Sequence, residues 1–135
     1  MAAFLGVGLV GGLIFLLLDF LLNVNPLARR LSQAYAPIAR KQMPLAPAIA
    51  MDLLLGVAMA GFFLMLRPAF PGGTVVSLGF SFGFLAWFFR VLMNTLSHWV
   101  MFALPSATHL YALAAGFAEM IVLGVFYAAA FRALL

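Results

Sequence analysis

The stretch AFLGVGLVGGLIFLLLDFLL, residues 3–22, has one charged side chain, Asp19, in an otherwise apolar run. A helix that crosses the hydrocarbon core of a bilayer needs about 20 mostly apolar residues, so this run predicts a membrane-spanning helix. A secretory signal peptide would begin with a basic segment, which residues 1–18 do not have. We therefore expect this first span to be retained.

Three further stretches of the same kind follow and set the fold class. The predicted spans cover residues 47–66, 74–104 and 107–134, with breakers at residues 71–73 and at Pro105. The chain is 67% hydrophobic and only 7% charged, whereas a soluble domain has about 25% charged residues. A soluble fold this small could not bury so much apolar surface. We predict an all-α integral membrane protein, a bundle of four transmembrane helices, in which Thr74 and Ser106 cap the third and fourth helices.

Composition also excludes several classes of function. Cysteine is absent, which rules out disulfides and thiolate metal sites. The seven lysines and arginines are too dispersed to form a nucleic-acid surface. No phosphate-binding loop, zinc-protease motif or paired nucleophile and base is present. We expect no enzymatic activity, no nucleic-acid partner and no metal site.

The only substantial connection, residues 23–46, carries the basic residues that set the topology. These residues are Arg29, Arg30, Arg40 and Lys41. Cytoplasmic loops of membrane proteins are enriched in Lys and Arg. The loop is therefore predicted to lie on the cytoplasmic side of a bacterial inner membrane, near anionic headgroups. Both termini are then predicted to lie on the opposite side.

The same loop has the features of a short interfacial amphipathic helix. Asn25-Pro26 reads as an N-cap followed by proline at the first helical position, and Pro37 should end the helix. The apolar residues at near-helical spacing are Leu27, Leu31, Tyr35 and Ile38. A helix on the inner membrane surface fits this spacing, and an irregular basic loop is the alternative.

All three acidic residues of the chain, Asp19, Asp52 and Glu119, fall inside predicted spans, as does Arg90. A charge at the centre of a spanning helix costs about 2.5–3.5 kcal/mol on the insertion scale, so such residues usually face the bundle interior and pair. We predict an interior charge cluster of these four residues with Asn94.

Depth within the spans pairs two of these charges. Arg90 precedes Pro105 by nearly the same number of residues as Glu119 follows it. In an antiparallel hairpin the two residues come level. We therefore predict that the Arg90 guanidinium contacts the Glu119 carboxylate directly, or through Asn94 or one water.

Small residues mark the faces on which the helices should pack. Three of the four faces combine glycine or alanine with a charged or polar residue, and the face on the third helix contains two glycines. Small residues let membrane helices approach closely. The predicted faces are Gly8, Gly12, Asp19 and Asn23; Ala48, Asp52, Gly56 and Ala60; Gly79 and Gly83; and Ala112, Ala115, Gly116 and Glu119.

Several functions fit this pattern. The preferred interpretation is a non-enzymatic bundle that acts by helix association, as an accessory subunit of a larger membrane complex or as a homo-oligomer. The alternative is a small proton- or cation-linked transporter or channel using Asp52, Arg90 and Glu119, since three acids against one arginine leave an excess of negative charge. A third interpretation is a haem- or pigment-binding subunit with His98 or His109 as ligands, although no cofactor is predicted and both histidines sit where ordinary interfacial anchors such as Trp99 and Tyr111 occur.

Overall fold

The computed structural model describes residues 1–135 and consists of helices and their connections, without β-strands. Four helices are long and apolar enough to span a membrane, which confirms the predicted number. The helices are α1 (Ala2–Val24), α2 (Pro26–Ser32), α3 (Leu45–Leu66), α4 (Val75–Met101) and α5 (Ser106–Leu134). The four long ones begin and end within a few residues of the predicted spans.

The long helices form two antiparallel pairs. α1 packs along α3 and α4 packs along α5, and the contact between α1 and α5 joins the pairs. One end of the bundle holds α2 and the turn from α4 to α5, and we call it the α2 end. The other end holds residue 1 and the 67–74 turn, which includes a 3-10 turn at Arg67–Ala69, and we call it the far end.

Both pairs are built on backbone contact at glycine. A Cβ at Gly56 of α3 would collide with the backbone of Gly12 and Gly8 on α1. In the other pair, a Cβ at Gly124 of α5 would collide with the backbone of Gly79 on α4. Without side chains at these points the helix axes approach closely, as small residues allow in membrane bundles. The structure thus confirms the predicted packing faces at their glycines.

An aromatic cluster fills the far half of the bundle. The Phe63 ring lies 5.2 Å from Phe82, 6.3 Å from Tyr127 and 5.9 Å from Phe131, measured between ring centroids. These four side chains are almost fully buried. Tyr127 also donates a hydrogen bond of 2.8 Å to the Gly56 carbonyl oxygen, so its polar group is satisfied inside the cluster. The cluster joins α3, α4 and α5 and closes this half.

Two of the three predicted helix caps are present. The Thr74 hydroxyl accepts a hydrogen bond of 3.1 Å from the Ser77 amide, and the Asn25 side chain accepts one of 2.9 Å from the Ala28 amide. The prediction for Ser106 was wrong, because this residue is already helical and Pro105, in an extended conformation, precedes it without a side-chain cap. Proline can turn the chain into a helix from its restricted φ alone.

Substitution of Gly56 tests the glycine contact. We expect Gly56→Ala to destabilise the protein by about 1–3 kcal/mol, the usual cost of overpacking, because the new methyl group meets Gly12 backbone that cannot move aside. Gly61→Ala, on the same helix, is the matched control, since its Cβ would come no closer than 3.8 Å to the Phe4 ring. Thermal unfolding in detergent measures both. Equal melting temperatures for the two variants would contradict this packing.

Candidate functional site: a polar cavity at the α2 end

A cavity of about 580 Å³ lies between α1, α4 and α5 and is covered by α2. Four of the five residues of the predicted charge cluster line it: Asp19, Arg90, Asn94 and Glu119. Asp52 is not part of the lining. Further polar groups in the wall are Asn23, Ser32, Tyr35, Thr95, Thr108 and Tyr111. The structure therefore gathers eight polar side chains of the spans around one open cavity.

Glu119 is the most deeply placed acid of the cavity. Its side chain is only 7% exposed, and its Oε1 atom is buried without a hydrogen-bond partner. Buried polar atoms are nearly always hydrogen-bonded, and an unmet one costs about 1–3 kcal/mol. Gly116, one turn earlier on α5, also lines the cavity. An unsatisfied carboxylate oxygen in this wall is suited to accept a proton or to contact a cation.

The other two acids differ in their surroundings. Asp19 is half-buried on α1, and the Asn23 side-chain amide donates a hydrogen bond of 2.8 Å to its carboxylate. Asp52 is half-buried on α3, and its carbonyl oxygen would lie 2.9 Å from a Cβ at Gly12. Asp52 therefore flanks the α1–α3 crossing next to the cavity. Neither acid forms an ion pair with Arg29 or Arg30 of the basic loop.

Arg90 does not make the direct contact with Glu119 that was predicted for it. Its guanidinium carbon lies 4.5 Å from the centroid of the Phe15 ring on α1, and no carboxylate oxygen lies within 4.0 Å of its nitrogens. The predicted direct pair with Glu119 was therefore wrong, although both residues line the same cavity. A guanidinium above an aromatic face is itself a stabilising arrangement.

A π-helical turn explains why the depth argument failed. Residues Trp87–Leu92 of α4 form this turn, and Arg90 lies within it. A π-turn holds more residues than an α-turn, so it changes the direction in which each side chain points relative to a regular helix. Trp87 stabilises the turn by donating a hydrogen bond of 3.0 Å to the Leu113 carbonyl oxygen on α5. Arg90 and Glu119 do border the same cavity. The direction in which the Arg90 side chain points depends on this π-helical turn.

α2 covers the cavity instead of lying free on a surface. The predicted helix is present as α2, and a 3-10 turn at Gln33–Tyr35 follows it. Ala28 and Leu31 of α2 and Tyr35 of this turn contribute to the cavity wall, whereas Leu27 and Ile38 are exposed. The predicted apolar stripe therefore divides between the bundle and the outside. The cations of the loop, which are Arg29, Arg30, Arg40 and Lys41, are all exposed.

Hydrogen bonds that the sequence did not indicate hold this cover in place. The Tyr111 hydroxyl of α5 donates to the Leu22 carbonyl oxygen and accepts a hydrogen bond of 2.7 Å from the Asn25 side chain. The Thr108 hydroxyl donates to the Leu31 carbonyl oxygen at 3.3 Å. Tyr111, predicted as an interfacial anchor, joins α5 to the α1–α2 junction through these hydrogen bonds. Its position three residues after Thr108 on one helix face was the available signal.

The two histidines occupy different environments. His98 is half-exposed, with its ring against Phe102 at a centroid distance of 5.4 Å. His109 is only 6% exposed, and its Nε2 atom has no hydrogen-bond partner, so it is not an interfacial anchor. Neither residue lines the cavity, and no group of three or more metal-type side chains is present.

No protein-family model, curated protein or solved structure matches this chain.

Replacement of Glu119 tests whether its carboxylate lacks a partner. We expect Glu119→Gln to be at least as stable as the wild type, because the amide keeps the shape and removes an unsatisfied buried acid. Glu119→Ala should lose about 0.5–3 kcal/mol, because it leaves a void in the wall. Thermal unfolding in detergent at neutral pH measures both. If glutamine were as harmful as alanine, the carboxylate would have a partner in the folded protein.

Proposed function

We propose that this chain is an integral membrane protein of four spanning helices that binds a proton or small cation in the polar cavity and transports it, or uses it to drive transport. The observation that carries the proposal is the Glu119 carboxylate, which is buried, lacks a partner at Oε1 and lines a cavity shared with Asp19. Ionisable residues inside a bilayer are costly, and they commonly line ion or proton pathways.

Charge balance favours a positively charged occupant. Arg90 is the one cation beside the acids Asp19, Asp52 and Glu119, and it forms no ion pair with any of them. When all four groups are ionised, the interior has an excess of negative charge. A low-dielectric interior disfavours uncompensated charge. A proton or a small cation in the cavity compensates for it.

The shape of the bundle supports access from one side. The cavity lies at the α2 end, where α2 forms part of its wall, and the aromatic cluster fills the far half. A proton or cation that entered from the α2 end would stop at the cluster. Movement across the membrane then requires the aromatic cluster to open. The cluster is therefore the gate between the cavity and the far end in the proposed pathway.

Helix association with another membrane chain, the function preferred from sequence, is the competing proposal. A protein that acted only by association would be expected to place its charged residues on an outer face, where a partner helix could pair with them. Here Glu119 is only 7% exposed and lines a cavity together with the half-buried Asp19. The exposed apolar residues are distributed over all four long helices, and lipid alone accounts for that distribution.

The orientation follows from the basic loop. The basic residues of the loop are exposed at the α2 end of the bundle. The cavity is therefore proposed to open on the cytoplasmic side of a bacterial inner membrane. Reporter fusions after Arg40 should therefore score as cytoplasmic, and fusions at Leu135 as external. The reverse pattern would overturn the orientation and place the cavity on the outer side.

Flux measurements in liposomes test transport itself. The wild-type protein should carry protons, or Na⁺ or K⁺, into vesicles, followed with a pH-sensitive dye or with radioactive cations. Glu119→Gln and Asp19→Asn should abolish the flux, because each removes an ionisable group from the cavity wall. Arg132→Gln is the control, since it also changes one charge but lies exposed at the far end.

The flux experiment also separates the two candidate functions. Specific flux that the two acid variants abolish and Arg132→Gln preserves supports the transporter. Vesicles that stay tight with correctly folded wild-type protein would reject it and leave association as the function to pursue.

A further inference from the structure

Arg90 borders a second space besides the polar cavity. An apolar groove of about 630 Å³ runs between α3 and α4, and every lining side chain except Arg90 is hydrophobic. Its walls include Met59 and Phe62 from α3 and Phe82 and Phe89 from α4. The groove exists because α3 packs mainly on α1 and α4 mainly on α5, so the two pairs separate along this side.

Arg90 has no anionic partner within the chain. Its guanidinium has five N–H donors, yet it forms no hydrogen bond or ion pair, and the Phe15 ring covers only one face. The residue is exposed and lies near the middle of α4. An unpaired arginine at that depth of a bilayer is unfavourable, and such residues pair with an anion. The Arg90 guanidinium therefore has N–H donors free at the end of an apolar groove.

The size of the groove limits what can fill it. From Arg90 it extends toward the far end over about 12 Å of α4, as far as Phe82, at 1.5 Å rise per residue. Its volume of about 630 Å³ falls within the range of about 300–1,000 Å³ typical of sites for one small ligand. A single hydrocarbon chain fits these dimensions. A phospholipid has two chains, and its phosphate belongs at the bilayer surface, not at the depth of Arg90.

We propose that the α3–α4 groove binds a long-chain carboxylate, with its carboxylate on the Arg90 guanidinium and its hydrocarbon chain along Met59, Phe62 and Phe82. A guanidinium and a carboxylate form two parallel hydrogen bonds, which this geometry leaves free on Arg90. The carboxylate end lies where the groove meets the polar cavity, and the chain end lies toward the aromatic cluster. This inference requires the chain to lie in a membrane but does not require the proposed flux.

Binding to protein in phosphatidylcholine nanodiscs tests the inference. The probe is palmitate with a photoreactive diazirine at the middle of its chain, because the extended chain is longer than the groove. The matched uncharged probe is hexadecanol with the same group. Palmitate should bind at least about tenfold more tightly than hexadecanol, since a hydrogen bond to a charged group contributes about 1.5–3 kcal/mol. Arg90→Met should remove this preference and leave hexadecanol binding unchanged, whereas Arg132→Gln should preserve it.

Mapping of the crosslinks keeps the test decisive even if Arg90→Met does not fold. In the wild-type protein, light should attach the palmitate probe to Phe62, Met65 or Phe82, which lie on the groove away from Arg90. Labels spread over all lipid-facing helices, equal affinity for the two probes, or a dimer whose contact covers the groove would each overturn the proposal. Loss of flux with intact palmitate binding would reject the transporter alone.

Discussion

The contact of bare backbone at two glycine crossings is the constraint on which the rest of this bundle depends. Gly56 against Gly12 holds α1 to α3, and Gly124 against Gly79 holds α4 to α5. Close approach maximises van der Waals contact, which has to drive helix association where lipid is as apolar as the side chains. Two tight pairs result, and everything else is set by how these pairs meet.

The pairs meet differently at the two ends. At the far end, the rings of Phe63, Phe82, Tyr127 and Phe131 fill the space between them. At the α2 end, the residues that face inward are polar and shorter, and they leave the cavity around Asp19 and Glu119. Large aromatic side chains can satisfy packing without hydrogen bonds, whereas polar groups need partners or water. The bundle is therefore closed on one half and hollow on the other.

Arg90 links the hollow half to the outer surface of the bundle. It lies in the π-helical turn of α4, over Phe15, between the polar cavity and the apolar α3–α4 groove. The proposed cation pathway and the proposed carboxylate site thus share one residue. An anion on Arg90 would repel the carboxylates of Glu119 and Asp19 and so favour their protonated forms. Occupancy of the groove and the charge of the cavity are coupled through this arginine.

Sequence alone determined the elements of this protein, because hydropathy depends on local composition. The four long helices, the short helix after Asn25-Pro26, the Thr74 cap and the glycine faces were all predicted from runs and spacings of a few residues. The convergence of Asp19, Arg90, Asn94 and Glu119 was also predictable, since charges in apolar helices seek the interior.

Only the tertiary structure decided how these side chains meet. Helical spacing gives the depth of Arg90, but its direction depends on the π-turn, whose first residue, Trp87, is hydrogen-bonded to Leu113 of α5. The placement of α2 over the cavity depends on the Tyr111 and Thr108 hydrogen bonds, which join residues far apart in the chain. The groove between α3 and α4 exists because α3 packs on α1 and α4 packs on α5. These features arise from contacts between segments, and a pattern read along one segment does not contain them.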